Sequence, residues 1–320
     1  MANYLVTGGC GFIGSHLCEA LLEQGHDVDV LDNLSTGKKE NLPTGVKLFV
    51  GDIRDTKLLK TLMHGIDGCF HLAAIASVEK SNLEWAETHS VNQTGTVNIL
   101  ECSARLDHCV PVVYASSAAV YGDNASTPLK EHSEQRPLSA YGVDKLSCEF
   151  QAKVAGVIHK VPTIGFRFFN VFGERQDPSS PYSGVISIFA NRVAHHESIT
   201  INGDGSQVRD FVYVKDVIRY LVAGMGKAKC SAPVFNICTG KPCSIKALAE
   251  TIFSVSGYQV GISYGPKRQG DIHSSLGDPN NLIRYFGFKP DYDLGLGLLE
   301  MNNQTLTNNC DRIRPLSVAN

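Results

Sequence analysis

The sequence predicts a doubly wound parallel α/β fold, and three observations predict it. Short apolar runs recur along the first half of the 320-residue chain and alternate with stretches of helical spacing, the pattern of parallel strands covered on both faces. The first run, Tyr4-Leu-Val-Thr7, enters a glycine turn and then a helical stretch from Ser15 to Leu22. The second, Asp27-Val-Asp-Val-Leu31, ends on an acidic residue, Asp32, where such a fold presents a carboxylate to a ribose. These are the marks of a Rossmann-type sheet with a dinucleotide site. The chain has length for a smaller α/β substrate-binding domain as well. Residues 1–170 are assigned to the dinucleotide half and 171–320 mainly to the substrate half, some of whose strands and helices can return to the sheet.

In the first turn Gly8 permits the tight bend, Gly11 lets a pyrophosphate approach the backbone, and Gly14 lets helix and strand pack closely. Phe12 and Ile13 open the helix, whose free N–H groups face the anion. The spacing is Gly-x-x-Gly-x-x-Gly, not Gly-x-Gly-x-x-Gly. Asp32 and Asn33, with Thr36 on the loop beyond, are assigned to the adenosine ribose, and a carboxylate there repels a 2′-phosphate, favouring NAD over NADP. Val46 to Val50 is a third strand, after which Asp52 and Ile53 are expected to hold an adenine edge, and Thr56 to His64 is a helix with a polar face. Gly68 to Leu72 is a fourth strand, and Leu72 with the small Ala73 and Ala74 lets the cofactor pass over the strand ends. His71 reads as a packed strand-end histidine. Trp85 through Leu106 reads as one long helix whose apolar stripe, continuing through Leu100, Cys102 and Leu106, serves a core and a dimer surface. Asn92, within it, reaches either the cofactor ribose or a nearby loop.

The fifth strand, Val110 to Ala115, delivers Ser116 and Ser117 at its C-terminal end, the edge where ligands of such sheets bind. In the helix that follows, Tyr141 and Lys145 are i and i+4 and share a face. An ammonium beside a phenol lowers the cost of ionising it, so Tyr141 is a candidate proton acceptor. A bare Tyr-x-x-x-Lys is a common accident of helix surfaces, but this one stands with a hydroxyl pair and a dinucleotide turn. Pro162 to Arg167 is a sixth strand, and Phe168 to Gly173 the turn beyond it, with Phe168 beside the nicotinamide. Arg209 immediately precedes an apolar strand, and a guanidinium matches phosphate geometry. Val185 to His195, Ser244 to Ser256, Pro279 to Phe286 and Leu294 to Leu306 read as helices.

Taken together, Thr7 to Gly14, Asp32-Asn33, Gly51-Asp-Ile-Arg54, Ser116-Ser-Ala-Ala-Val-Tyr-Gly122, Tyr141-x-x-x-Lys145 and Arg167-Phe-Phe-Asn170 resemble an extended short-chain dehydrogenase/reductase. More narrowly, they resemble nucleotide-sugar 4-epimerases of the UDP-hexose type. The resemblance implies NAD as cofactor, a UDP-sugar as substrate, Ser117, Tyr141 and Lys145 as the catalytic set, and Ser116, Tyr141 and Lys145 against the cofactor. It assigns Asn170 to the diphosphate or sugar, Arg268 to the diphosphate and Asp271 to a ribose hydroxyl, with Ser117 and Tyr141 on the sugar, and Arg209 is a further candidate clamp for the diphosphate. Related 4,6-dehydratases carry an Asp-Glu pair where this chain has Ala118 and Ala119, and related decarboxylases a Glu at the second position. Two alanines transfer no protons, which argues for simple epimerisation. At Ala115 some epimerases have a third serine. Family members restricted to plain hexoses resemble one another in a tyrosine at the place of Ser275, whereas this small residue leaves room for an acetamido group. UDP-GlcNAc and UDP-GalNAc are therefore the expected substrates, with UDP-Glc and UDP-Gal admitted. A UDP-uronate 4-epimerase and another nucleotide-sugar dehydratase or oxidoreductase are the alternatives.

With 29 basic and 32 acidic residues the chain carries a formal charge of −3, which gives no reason to expect nucleic acid as a partner. No uncharged apolar run approaches the roughly 18 residues that span a bilayer, and the strand at Asn3 leaves no room for a signal peptide before it. A cytoplasmic protein with no membrane partner, forming a homodimer through a helix bundle, is expected. The ten cysteines lack metal spacing and read as reduced and mostly buried. His195-His196, the only His doublet, diverges on a helix, so no metal site is expected.

Overall fold

The computed structural model describes residues 1–178, 184–267 and 272–302. Its first half runs β1 (Asn3–Thr7), α1 (Phe12–Glu23), β2 (Asp27–Asp32), β3 (Lys47–Val50), α2 (Thr56–Met63), β4 (Gly68–His71), α3 (Val78–Leu83), α4 (Trp85–His89), α5 (Gly95–Ala104), β5 (Val112–Ser117), α6 (Ala140–His159) and β6 (Thr163–Phe168). The second half adds β7 (Asn170–Phe172), α7 (Val185–Ala194), β8 (Ile199–Asn202), β9 (Val208–Arg209), β10 (Phe211–Tyr213), α8 (Val214–Met225) and β11 (Val234–Ile237). It continues through β12 (Cys243–Ser244), α9 (Ile245–Ser256), β13 (Ile262–Gly265), β14 (Ser274–Ser275) and α10 (Asn280–Phe286), and residues 294–302 are also helical. Among the described residues no helix is long and apolar enough to cross a membrane.

Seven of the described strands form one sheet in the order β3-β2-β1-β4-β5-β6-β11, with every neighbouring pair parallel. From β1 the chain winds one way through β2 and β3, then restarts on the other side with β4. The strand order therefore reverses between β1 and β4, the switch point where ligands of such sheets bind. Alternate strand residues feed opposite faces. Val6, Val30, Val113 and Ile164 pack with Leu17 and Leu21 of α1 and with Val217 and Leu221 of α8. Leu5, Leu31, Val112 and Tyr114 pack with Leu59 and Met63 of α2, Ile99 of α5, and Ala152 and Ala155 of α6. At about 1.5–3 kcal/mol per fully buried large aliphatic side chain, these two layers hold the strand ends that bear the site.

Trp85 to Leu106 is not one regular helix. Between α4 and α5, Ser90–Thr94 forms a π segment, where the Thr96 hydroxyl donates to the Asn92 carbonyl at 2.7 Å. Gly95 follows it because Ile53 lies against that backbone: a Cβ there would meet Ile53 Cδ1 at 2.3 Å. Leu100 and Cys102, expected to serve a dimer surface as well, are buried by the protein's own core, and Leu106 packs against the same layer. The apolar stripe left in solvent is on α6 instead, where Val143, Phe150, Val154, Val157 and Ile158 are each at least half exposed.

Beyond β6 the expected turn contains a strand, β7, paired in parallel with β10. The edge strand β11 and the helix α8 were not legible as such: β11 carries Asn236 in mid-strand, which interrupts the apolar run, yet that side chain is fully buried and accepts from the Tyr121 hydroxyl at 2.6 Å. The rest of the second half forms small sheets, β8 with β13 in parallel, and β9 between an antiparallel β12 and a parallel β14.

Candidate active site

At the switch point the glycine turn is fitted to its neighbours. Gly8 has φ +74°, and a Cβ on it would stand 2.7 Å from the Ala73 nitrogen; a Cβ on Gly14 would stand 2.2 Å from the Gly8 carbonyl oxygen. Gly11 caps α1 with extended backbone and no side-chain bond, so the N–H groups at Phe12 and Ile13 begin a helix open to an anion. Asp32 is buried, and its two oxygens accept the Cys10 N–H at 2.9 Å and the Leu34 N–H at 2.8 Å. It therefore pins the glycine turn to the end of β2, and each oxygen retains a second lone pair. Thr36 is exposed on the loop beyond. Asn33 donates to Asp52 at 3.3 Å, and Arg54 grips the same carboxylate with Nε at 2.9 Å and Nη2 at 2.8 Å. Those Arg54 bonds hold the Asp52 carboxyl down to about 2. Leu72, Ala73 and Ala74 are half-buried past β4, with the Ala73 N–H donating to the Thr7 hydroxyl at 3.3 Å.

Three residues assigned to the cofactor turn their side chains elsewhere. Ile53 is core, packed on Gly95, and its carbonyl is taken by Asn98 at 3.2 Å. Asn92 clamps the loop after β4, accepting the Ile75 N–H at 2.8 Å and donating to the Ile75 carbonyl at 3.1 Å, so of its two expected partners the loop is the one it meets. Ser116 points to the opposite side of the sheet from Ser117 and donates to Glu149 in the interior. His71 is a packed strand-end residue: its ring nitrogens meet the Thr7 hydroxyl at 2.8 Å and the Thr96 hydroxyl at 3.0 Å, and burial pushes it down to about 3, so it stays neutral.

Ser117 ends β5 in register with Phe168 at the end of β6, and its hydroxyl accepts the Ala119 N–H at 3.1 Å, starting a 3-10 turn over Ala118–Tyr121. Tyr141 is the second residue of α6. Gly142 lets that helix close on the turn, since a Cβ there would meet the Ala119 carbonyl at 2.7 Å. The first N–H groups of α6 are all engaged: Ala140 with Asn82 at 3.3 Å, Tyr141 with the Ser81 hydroxyl at 3.1 Å, Gly142 with the Ser139 hydroxyl at 3.1 Å. α3 therefore anchors the tyrosine's backbone. Lys145 is buried one turn on, its ammonium 5.8 Å from the Tyr141 ring centroid and donating to the Ala115 carbonyl at 2.9 Å.

Beneath this set runs a buried ion pair that the sequence reading did not single out. Arg167 Nε and Nη2 donate to the two oxygens of Glu149 at 2.8 and 2.7 Å, and its Nη1 donates to the Tyr121 hydroxyl at 2.8 Å and to the Glu131 carbonyl at 2.9 Å. The signal was available: an arginine closing an apolar strand, and an acid four residues beyond Lys145 on one helix face.

On the substrate side, Asn170 lies on β7 with its backbone and side-chain N–H groups on the Asp210 carbonyl at 3.0 and 3.2 Å. Arg209 on β9 stands in register with Ser275 on β14, and Ser275 is buried. Arg268 and Asp271 lie outside the described residues.

An uncapped helix start beneath a left-handed glycine, with a phenol and an ammonium one helical turn apart along the same sheet edge, suits a reaction that moves a hydrogen between a sugar-sized molecule and a dinucleotide. That is the class of nicotinamide-dependent α/β enzymes. Residues 4–238 match the model of the NAD dependent epimerase/dehydratase family, and the chain belongs to that family; its cofactor is NAD. It is 36% identical over 306 residues to a putative UDP-glucose 4-epimerase of Methanocaldococcus jannaschii, covering 95% of this chain and 99% of the relative. Among solved structures it is similar to a UDP-glucose 4-epimerase from Thermotoga maritima, crystallised with UDP-glucose, at 35% identity and a TM-score of 0.92 over 96% of this chain and 99% of that one. It is also similar to a UDP-N-acetylglucosamine 4-epimerase from Methanobrevibacter ruminantium, in complex with UDP-N-acetylmuramic acid, at 36% identity and a TM-score of 0.90 over 96% and 99%.

Proposed function

We propose that this protein interconverts the C4 epimers of a UDP-hexose through a transient 4-keto sugar, with UDP-GlcNAc and UDP-GalNAc as its preferred pair. The observation that carries epimerisation over dehydration is the turn after Ser117: Ala118 and Ala119 bring no acid or base to the other carbons of the sugar, which leaves Tyr141 as the proton-transfer group. The Lys145 ammonium favours the phenolate form of Tyr141, that phenolate takes the proton of the 4-hydroxyl, and Ser117 donates a hydrogen bond to the sugar oxygen. Bound NAD supplies a reversible two-electron acceptor for the hydrogen on C4. The keto sugar turns about its bond to the diphosphate and presents its other face for the return of that hydrogen to C4, while Tyr141 gives the proton back to the C4 oxygen. Arg209 and Asn170, with Arg268 and Asp271, grip the nucleotide so that the hexose alone turns, spending binding affinity on the part that does not react.

The buried Ser275 opposite Arg209 supports the N-acetylated pair, because a serine wall leaves volume that a tyrosine ring would fill. Incubation with UDP-GlcNAc, UDP-glucose and their uronates, with the products resolved by chromatography, tests the reading; a lasting nicotinamide absorbance change or a stable keto product would assign an oxidoreductase or dehydratase instead. Ser275→Tyr is expected to lower kcat/KM for UDP-GlcNAc by about 10²-fold and to spare UDP-glucose. Equal losses on both sugars would remove Ser275 from the specificity wall.

We infer further that two copies pair through α6, in the cytoplasm. Val143, Phe150, Val154, Val157 and Ile158 make a stripe at helical spacing whose cover by a second α6 removes apolar surface from water. The nine cysteines among the described residues are all free thiols, which suits a reducing compartment. Phe150→Glu, a charge at the middle of the stripe, is expected to shift the sedimenting species from dimer to monomer, and wild-type protein that sediments as a monomer would overturn the pairing.

A further inference from the structure

We propose that Asp210, the link between β9 and β10, is a positioning residue that aligns the diphosphate grip with the sugar wall. This deepens the UDP-sugar reading and rests on it. The side chain is fully buried, and among the described residues none of its hydrogen-bond partners is a cation. One carboxylate oxygen accepts the Thr239 N–H at 2.8 Å and the Thr239 hydroxyl at 2.7 Å; the other accepts the Gly240 N–H at 2.9 Å and the Gly277 N–H at 3.3 Å. Its own carbonyl takes both N–H groups of Asn170. Four chain segments therefore meet on one residue: β7 through Asn170, β9 through the adjoining Arg209, the loop after β11 through Thr239 and Gly240, and the end of β14 through Gly277, two residues past Ser275.

The three described residues assigned to the substrate alone thus share a single internal fixture. Arg209 and Ser275 are register partners on β9 and β14, and Asp210 ties that pair to Asn170 and to the loop after β11. Only a carboxylate fits. All four side-chain partners are donors, and a carboxylate is acceptor-only on both oxygens, whereas an asparagine at this place must aim an NH2 at one pair of donors whichever way it turns. The Thr239 hydroxyl can reverse and accept, but at least one backbone N–H would be left buried and unpartnered, and the segment it holds would move. A displacement of about 1 Å in such a grip costs on the order of 10²-fold in turnover.

The test uses full-length wild type, Asp210→Asn and Thr239→Val, the last removing one hydroxyl donor. UDP affinity is measured by calorimetry, KM and kcat with the UDP-sugar, NAD content by absorbance, and Tm alongside. The expected result is a rise of about tenfold or more in the UDP Kd and in KM for Asp210→Asn. NAD content should stay at the wild-type level, since the dinucleotide residues come from β1 to β6. Thr239→Val should show a smaller rise, about threefold, and it carries the test alone should Asp210→Asn fail to fold. Variants that bind UDP as tightly as wild type, even with a lowered Tm, would leave Asp210 a purely structural residue and overturn the inference. Wild-type protein that takes up no UDP would instead sink the UDP-sugar reading, and this inference with it.

Discussion

Tyr141→Phe is expected to lower epimerase turnover by about 10²- to 10⁴-fold while the fold and the NAD content stay as they are. The change removes one oxygen and little volume. The backbone of residue 141 keeps its bond to the Ser81 hydroxyl, and Lys145 keeps the Ala115 carbonyl, so nothing that anchors α6 is disturbed. What is lost is the group able to take the 4-hydroxyl proton. Ser117 is no substitute, because an unassisted hydroxyl is a weak base at neutral pH and this one already accepts the Ala119 N–H. Rates followed by chromatographic separation of the two epimers, with bound NAD measured in the same preparation, decide the matter. A variant that turns over near the wild-type rate would take Tyr141 out of the chemistry.

The part of the site read from the sequence is the part whose chemistry is local. Gly8 and Gly14 announce themselves because no other residue fits a left-handed turn and a 2.2 Å approach, and both constraints arise within a few residues along the chain. Tyr141 and Lys145 are legible for the same reason: one helical turn fixes their relation. Direction was less legible than position. Ser116 and Ser117 are neighbours on a strand, so period-two alternation alone implies that only one faces the cleft, and the structure turns Ser116 inward. Asn92 sits in the π segment, whose wider turn no propensity marks, and its amide is spent on Ile75. Asp210 was hidden because its partners come from 29, 30 and 67 residues away. Similarly, β11 reads poorly because the Asn236 that satisfies Tyr121 and the Leu129 carbonyl looks like a strand breaker until those partners are in place.

Glu149→Ala is expected to cost about 3–5 kcal/mol of folding stability, a large part of the roughly 5–15 kcal/mol that a domain has. The pair is buried on both sides, at 6% and 7% exposure, and the carboxylate also receives the Ser116 hydroxyl. Removing it leaves a guanidinium inside the protein with two donors facing no acceptor, and a charge that solvent does not reach. The loss falls on the site as well. Arg167 holds Tyr121 at the end of the turn that begins at Ser117, and Glu149 lies on the helix that carries Tyr141, so the two halves of the proposed catalytic set are tied through one ion pair. Urea unfolding monitored by circular dichroism checks the size of the effect. The double variant Glu149→Met with Arg167→Met separates charge from packing: once neither charge is present, the desolvation cost is gone for both, and stability should recover to within about 1 kcal/mol of wild type. If the double variant is no more stable than Glu149→Ala, the loss comes from cavity and packing, and the ion pair does not hold β5, β6 and α6 together.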